Sequence, residues 1–216
     1  MTFASKKLLG LILVSATLGA SLSACFPVIV GGAVVGSLVA TDRRTAGAQL
    51  EDEGIELRGA SRVRDNLSER VHVNINSYNR RVLLTGEVPS LQDSQLVEQI
   101  ISRVDNVQSV VNELAVLGNA SLTQRSSDTL ITGRVKAALL DARDLYVNAF
   151  KVVTERGTVY LLGRVTQREA DRATEIARAT PGVQKVVRVF EILSEDELRA
   201  LLPKPAASEA KATPTR

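Results

Sequence analysis

Two short stretches decide the fold: "RVLLTGEV" (Arg81–Val88) and, 77 residues later, "TVYLLGRV" (Thr158–Val165). Their surroundings repeat as well. "VDNVQSVVNEL" (Val104–Leu114) returns as "ATPGVQKVVRVF" (Ala179–Phe190), now 76 residues on, with the one-residue slip at Pro89-Ser90 opposite Thr166. A fixed period of this size marks a duplicated unit. At about 65 residues, each copy lies near the lower limit for an independent fold.

Working outward, both copies show one order of periods. A helical pattern comes first, with Val63 and Leu67 in copy one and Ile131, Val135 and Leu139 in copy two. Alternating strands follow, "VHVNIN" (Val71–Asn76) and "NAFKVVT" (Asn148–Thr154). The polar turns "YNRR" and "ERGT" lead to second strands at Val82–Gly86 and Val159–Gly163. Second helices are expected at Leu91–Arg103 and Gln167–Thr180, and closing strands at Ser109–Val116 and Lys185–Leu193. The order αββαβ predicts an α+β fold, with helices on one face of a three-stranded sheet. Gly157 can supply the positive φ a tight hairpin wants, and Asn79 is the next best residue for it in copy one. Gly86 and Gly163 end strands and read as structural; a side chain at either should push its strand off the neighbouring helix.

The chain opens with Lys6 and Lys7, an apolar run from Leu8 to Leu18, and "LSAC" (Leu22–Cys25). The run is shorter than the roughly 20 residues of a membrane span. Cys25 is the only cysteine, and it falls where a bacterial lipobox places one. That resemblance implies cleavage after Ala24 (signal peptide 1–24), a diacylglycerol on the Cys25 thiol and a fatty acyl group, typically palmitate, on its amine. Phe26 stands where Asp is the usual inner-membrane retention signal, so the same resemblance implies the outer membrane. "FPVIVGGAVVGSLVA" (Phe26–Ala40) is apolar but too short to span, and its Gly32 and Gly36 spacing is a weak dimerisation signal; it reads as a membrane-hugging tether. Residues 25–51 then form the acylated cysteine, tether and flexible link.

The repeat, with "LLTGEV" and "LLGRV" closing the second strands, resembles the BON domain. Two tandem copies behind a lipobox are similar to the tandem BON-domain outer-membrane lipoproteins. Copy one is assigned to 52–117, a linker to 118–125, copy two to 126–193, and a short helix with a disordered tail to 194–216. The resemblance implies phospholipid binding through the first helix of the second domain. It also implies partners in the outer-membrane β-barrel assembly machinery and the regulators of septal peptidoglycan hydrolases.

That first helix contains "LITGRVKAALL" (Leu130–Leu140), which carries more apolar surface than one buried face uses. Ile131, Val135 and Leu139 form the core stripe; Leu130, Gly133, Ala137 and Leu140 lie on an adjoining face, beside Arg134 and Lys136. Copy two carries eleven basic and eight acidic residues over 126–193, while 52–116 carries seven basic and ten acidic. An apolar strip with cations in the positive copy suits anionic phospholipid, with Leu130, Gly133, Ala137 and Leu140 at the acyl boundary and Arg134 and Lys136 on phosphate. The bland alternative packs this strip against copy one. A scaffold tethered only by its acyl chains, with the strip docking a protein partner, is the other functional reading.

Catalytic chemistry finds no support. His72 is the single histidine and has no second ligand for a metal. Ser126, Ser127 and Asp128 are expected to cap a helix. No phosphate-loop pattern follows either glycine, and no aromatic platform exists for nucleic acid. No cofactor is expected beyond the covalent lipid on Cys25.

Overall fold

The computed structural model describes residues 42–118 and 121–201; Cys25, the leader and apolar segment around it, and the chain from residue 202 lie outside these residues. Copy one runs α1 (Ala46–Leu67), β1 (His72–Tyr78), β2 (Arg81–Val88), α2 (Leu91–Ser102), β3 (Ser109–Asn112) and β4 (Ala115–Val116). Copy two runs α3 (Leu122–Asp141), β5 (Phe150–Glu155), β6 (Thr158–Thr166), α4 (Gln167–Ala179) and β7 (Lys185–Leu193), and α5 (Glu195–Leu201) follows. In each copy the second strand is central: β2 is antiparallel to β1 and parallel to β3 and β4, and β6 is antiparallel to β5 and parallel to β7.

Each hairpin turns on two left-handed residues, Asn79 and Arg80 (φ 51° and 67°) or Arg156 and Gly157 (φ 49° and 71°). Such pairs match the twist of the flanking strands. The expected positive φ at Asn79 and Gly157 is present, but each is joined by an arginine that L-residue sterics disfavour there. A buried aspartate from the first helix holds both turns. Asp52 accepts from Asn79 N and Arg80 N, each at 2.7 Å, and from Ser77 Oγ at 2.6 Å. Asp128 accepts from Arg156 N at 2.9 Å and Gly157 N at 2.8 Å. The two aspartates are 76 residues apart, one repeat period.

This corrects two expectations. Ser126, Ser127 and Asp128 do not cap α3: the helix begins at Leu122, with Ser121 Oγ accepting from Gln124 N at 3.2 Å. Residues 42–51 are not a flexible link. Thr45 caps α1 at Ala46, and Arg43 forms a bidentate pair with Glu169 of copy two at 2.7 and 2.8 Å. A third correction concerns the closing strand of copy one, which breaks into β3 and β4. Asn112 turns its side chain to Ser94 and Glu98 of α2, and its Oδ1 accepts from Leu114 N, which leaves the ladder there.

Helices cover one face of each sheet, as expected. Ile55, Val63 and Leu67 of α1 and Val97 and Ile101 of α2 bury Val82 and Leu84; Ile131, Val135 and Leu139 of α3 do the same for Val159 and Leu161. The opposite faces pack on one another, where Tyr78 and Leu83 meet Tyr160, Leu162 and Val189. The layers run helix, sheet, sheet, helix. β2 and β6 are therefore covered on both sides, and so "VLL" and "VYLL" are unbroken apolar runs rather than alternating ones. Each fully buried leucine contributes roughly 1.5–3 kcal/mol.

Polar bridges pin the two sheets, with each hairpin reaching the far end of the other copy. Arg156 Nε donates to Glu87 at 2.8 Å, and Asn79 Nδ2 donates to Glu191 at 2.7 Å. His72 Nδ1 lies 2.9 Å from the other Glu87 oxygen. Burial pushes the Tyr78 and Tyr160 phenols up to about 12.

Gly86 and Gly163 are structural for a different reason from the expected one. Gly86 sits at φ 112°, and a Cβ there would lie 2.1 Å from His72 O; at Gly163 it would lie 2.5 Å from Ala149 O. The close neighbour is the backbone of the adjacent strand, or of the short 3-10 turn (Val147–Ala149) that leads into it, not a packed α-helix.

Candidate functional site

α3 is apolar on two opposite sides. Its inner side seats Ile131, Val135 and Leu139, each at most 4% exposed, in the copy-two core, together with the turn-holding Asp128. Its outer side presents Leu130 at 62% and Leu140 at 68% exposure. Gly133, Arg134, Lys136 and Ala137 are exposed between them. A Cβ at Gly133 would meet nothing within 4 Å. Copy one does not cover the strip, which removes the reading in which it packs between the copies.

The structure also extends the strip beyond what sequence reasoning found. Leu122 is 80% exposed and lies 18 residues, or five full turns, before Leu140, so the two share one direction from the helix axis, about 27 Å apart. Tyr146, 57% exposed, follows in the chain just beyond the helix. Leu122 was missed because the helix was expected to start after Ser126; with Ser121 as its cap, the apolar spacing from 122 would have been visible.

The cations frame this face. Arg134 is exposed and leans toward the loop before β7, its Nη1 3.4 Å from Pro181 O. Lys136 stands on the other flank and lines a cleft of about 610 Å³ that Glu53 and Glu56 of α1 also border. The repeat gives an internal control. Aligned through Asp52 and Asp128, positions 130, 133, 134, 137 and 140 correspond to Gly54, Leu57, Arg58, Ser61 and Arg64 of α1. At these positions copy one keeps only Leu57; Leu50, 71% exposed and aligned with Ser126, stands on the same side of α1, but Leu130 and Leu140 have no apolar counterpart there.

Among the described residues, no group of three or more His, Cys, Asp or Glu is arranged to hold a metal ion, and no helix is long and apolar enough to cross a membrane. His72 is spent on Glu87 in the interface. Cys25 lies outside the described residues.

Comparison with known proteins follows the repeat. The BON domain family matches residues 56–118 and 127–194. The chain is 37% identical to Outer membrane lipoprotein DolP of Haemophilus influenzae over 174 residues, covering 80% of this chain and 90% of that protein. It is 34% identical to the 21 kDa hemolysin of Actinobacillus pleuropneumoniae, covering 69% and 78%. It is 29% identical to Osmotically-inducible protein Y of Escherichia coli, covering 84% and 92%. With both copies matched and 78–92% of the length of these relatives covered, the chain belongs to the BON-domain family, as a tandem two-domain member.

Proposed function

We propose that this protein is a non-catalytic lipoprotein of the outer membrane, held at the periplasmic face by acyl chains on Cys25, that lays α3 of its second BON domain on anionic phospholipid. In this reading it supports outer-membrane integrity and envelope and division processes. The relative named as an outer membrane lipoprotein supports the compartment. One observation carries the lipid assignment: the core takes only one side of α3, while Leu122, Leu130 and Leu140 stand 62–80% exposed beside Arg134 and Lys136.

The energetics suit an interface rather than an inserted helix. Side chains entering the acyl boundary by roughly 5–10 Å gain part of their transfer energy, and each Lys or Arg near anionic headgroups adds about 1 kcal/mol. Arg134 and Lys136 can lay their stems along lipid with the charge at phosphate. Several acyl chains at Cys25 make anchoring stable in its own right, so α3 sets orientation and lipid preference.

The test uses residues 42–216 without the anchor, co-sedimented with vesicles of phosphatidylglycerol or of phosphatidylcholine alone. Binding to the anionic set, lost on Leu130→Asp or Arg134→Glu, supports the reading. Binding to neither set at low salt sinks it and leaves the strip to a protein partner.

A further inference from the structure

We infer that copy one carries a peptide-docking groove, between α1 and the outer edge of β1, that takes an extended segment of another protein by strand addition. This stands apart from the lipid reading, because it involves the other copy and a different chemistry.

The edge is identified by hydrogen-bond parity. The two-residue turn at Asn79-Arg80 makes Tyr78 and Arg81 its closing pair, so residues 72, 74, 76 and 78 point their backbone groups at β2. Residues 73, 75 and 77 point theirs outward. Ser77 is already occupied: its N–H donates to Glu56 at 2.7 Å and its carbonyl accepts from Lys151 at 3.3 Å. Val73 and Ile75 are left, and among the described residues no strand pairs with that side of β1.

A groove runs along this edge. One stretch of about 620 Å³ lies between Glu53, Leu57 and Val73–Asn76; a second of about 400 Å³ continues toward Arg64 and His72. Val73 and Ile75 are partly buried on its floor, and Leu57 stands 73% exposed on its wall. Val73 pairs with Gly86 as Phe150 pairs with Gly163; Phe150 is 7% exposed, its ring packed edge-on against Phe190 in the copy-two core, whereas the smaller Val73 is only partly buried.

Charge selects the occupant. Glu53 lines the groove near the Asn76 end, and Arg64 lines it near the His72 end. An antiparallel guest, the commoner pairing, enters at Asn76 and leaves at His72. It therefore has a basic residue early, alternating β-branched residues toward Val73 and Ile75, and an acidic residue late. Main-chain bonds to Val73 and Ile75 supply affinity, and the two charges set direction.

The experiment titrates the full-length protein in detergent with the peptide Lys-Val-Thr-Val-Thr-Val-Glu, reading amide hydrogen exchange at Val73 and Ile75. The expected result is slowed exchange at both, with the reversed peptide Glu-Val-Thr-Val-Thr-Val-Lys binding about tenfold more weakly. Glu53→Lys combined with Arg64→Glu should invert that preference. Val73→Pro removes an outward N–H that β2 does not use, so binding should vanish while the urea midpoint of the protein stays close to that of the parent. No protection at millimolar peptide overturns the proposal, as does equal binding of both peptides to parent and charge-swapped proteins. Concentration-dependent self-association that itself protects Val73 and Ile75 overturns it in favour of a second copy on the edge.

Discussion

Truncating Leu83 to alanine should destabilise both copies together. Leu83 lies in β2, is fully buried, and faces away from the copy-one helices toward Tyr160, Leu162 and Val189. Its loss removes about 2 kcal/mol of burial and leaves a cavity between two sheets that cannot easily close, for a total of about 3 kcal/mol. With a urea slope of about 2 kcal/mol per molar, the midpoint should fall by about 1.5 M. Leu140→Ala is the control: at 68% exposure it should move stability by less than about 0.5 kcal/mol. The discriminating assay is native-state hydrogen exchange of Val159 and Leu161 in copy two. If the sheets form one cooperative unit, these amides lose as much protection as those of Val82 and Leu84. Loss confined to copy one, or two separate urea transitions in the parent, would refute the back-to-back packing as a source of stability.

Other outcomes follow from the same contacts. Arg43→Met leaves Glu169 as a buried carboxylate and should cost about 3–5 kcal/mol by thermal or urea unfolding at neutral pH. Burial works to raise the Glu169 pKa but is outweighed by the Arg43 guanidinium and the Thr166 N–H, which hold it below the ordinary value of 4.5. The pair therefore stabilises above that value, its contribution disappears as pH falls through the lower folded value, and Arg43→Met should flatten this acid limb. At the other extreme, the raised phenols of Tyr78 and Tyr160 favour the fold fully below pH 10, and that stability is lost as pH rises through about 12; phenolate absorbance and circular dichroism should change together in that window. Gly86→Ala sets a Cβ 2.1 Å from His72 O at φ 112° and should cost several kcal/mol, whereas Gly133→Ala, in open space within a helix, should stabilise by about 0.5–1 kcal/mol.

Much of the fold was legible in the sequence because repetition checks every assignment twice. The strands around "LLTGEV" and "LLGRV", the second helices and the order αββαβ are all present, with boundaries shifted by a few residues. Tertiary roles of polar residues were harder to see. Asp128 resembled a helix cap because it follows two serines, yet its carboxylate serves backbone N–H groups 28 and 29 residues away. Its partner, Asp52, opened copy one directly after a segment expected to be flexible; its matching position in the repeat was the available signal. The back-to-back sheets were also written in the unbroken apolar runs of β2 and β6, since a half-exposed strand alternates. The strip on α3 was recognised from Leu130 to Leu140, but its extension to Leu122 depended on where the helix begins.

The most direct test of the membrane assignment is the depth of individual α3 residues in a bilayer. Cys25 is replaced, single cysteines at 122, 130, 136, 140 and 57 carry spin labels, and accessibility to oxygen and to a polar nickel chelate is read on phosphatidylglycerol vesicles. The account predicts labels at 122, 130 and 140 within the acyl boundary, the label at 136 at the headgroups, and the label at 57 in water. Labels at 130 and 140 that remain aqueous while the protein is vesicle-bound would contradict it, and the strip on α3 would then belong to a protein interface.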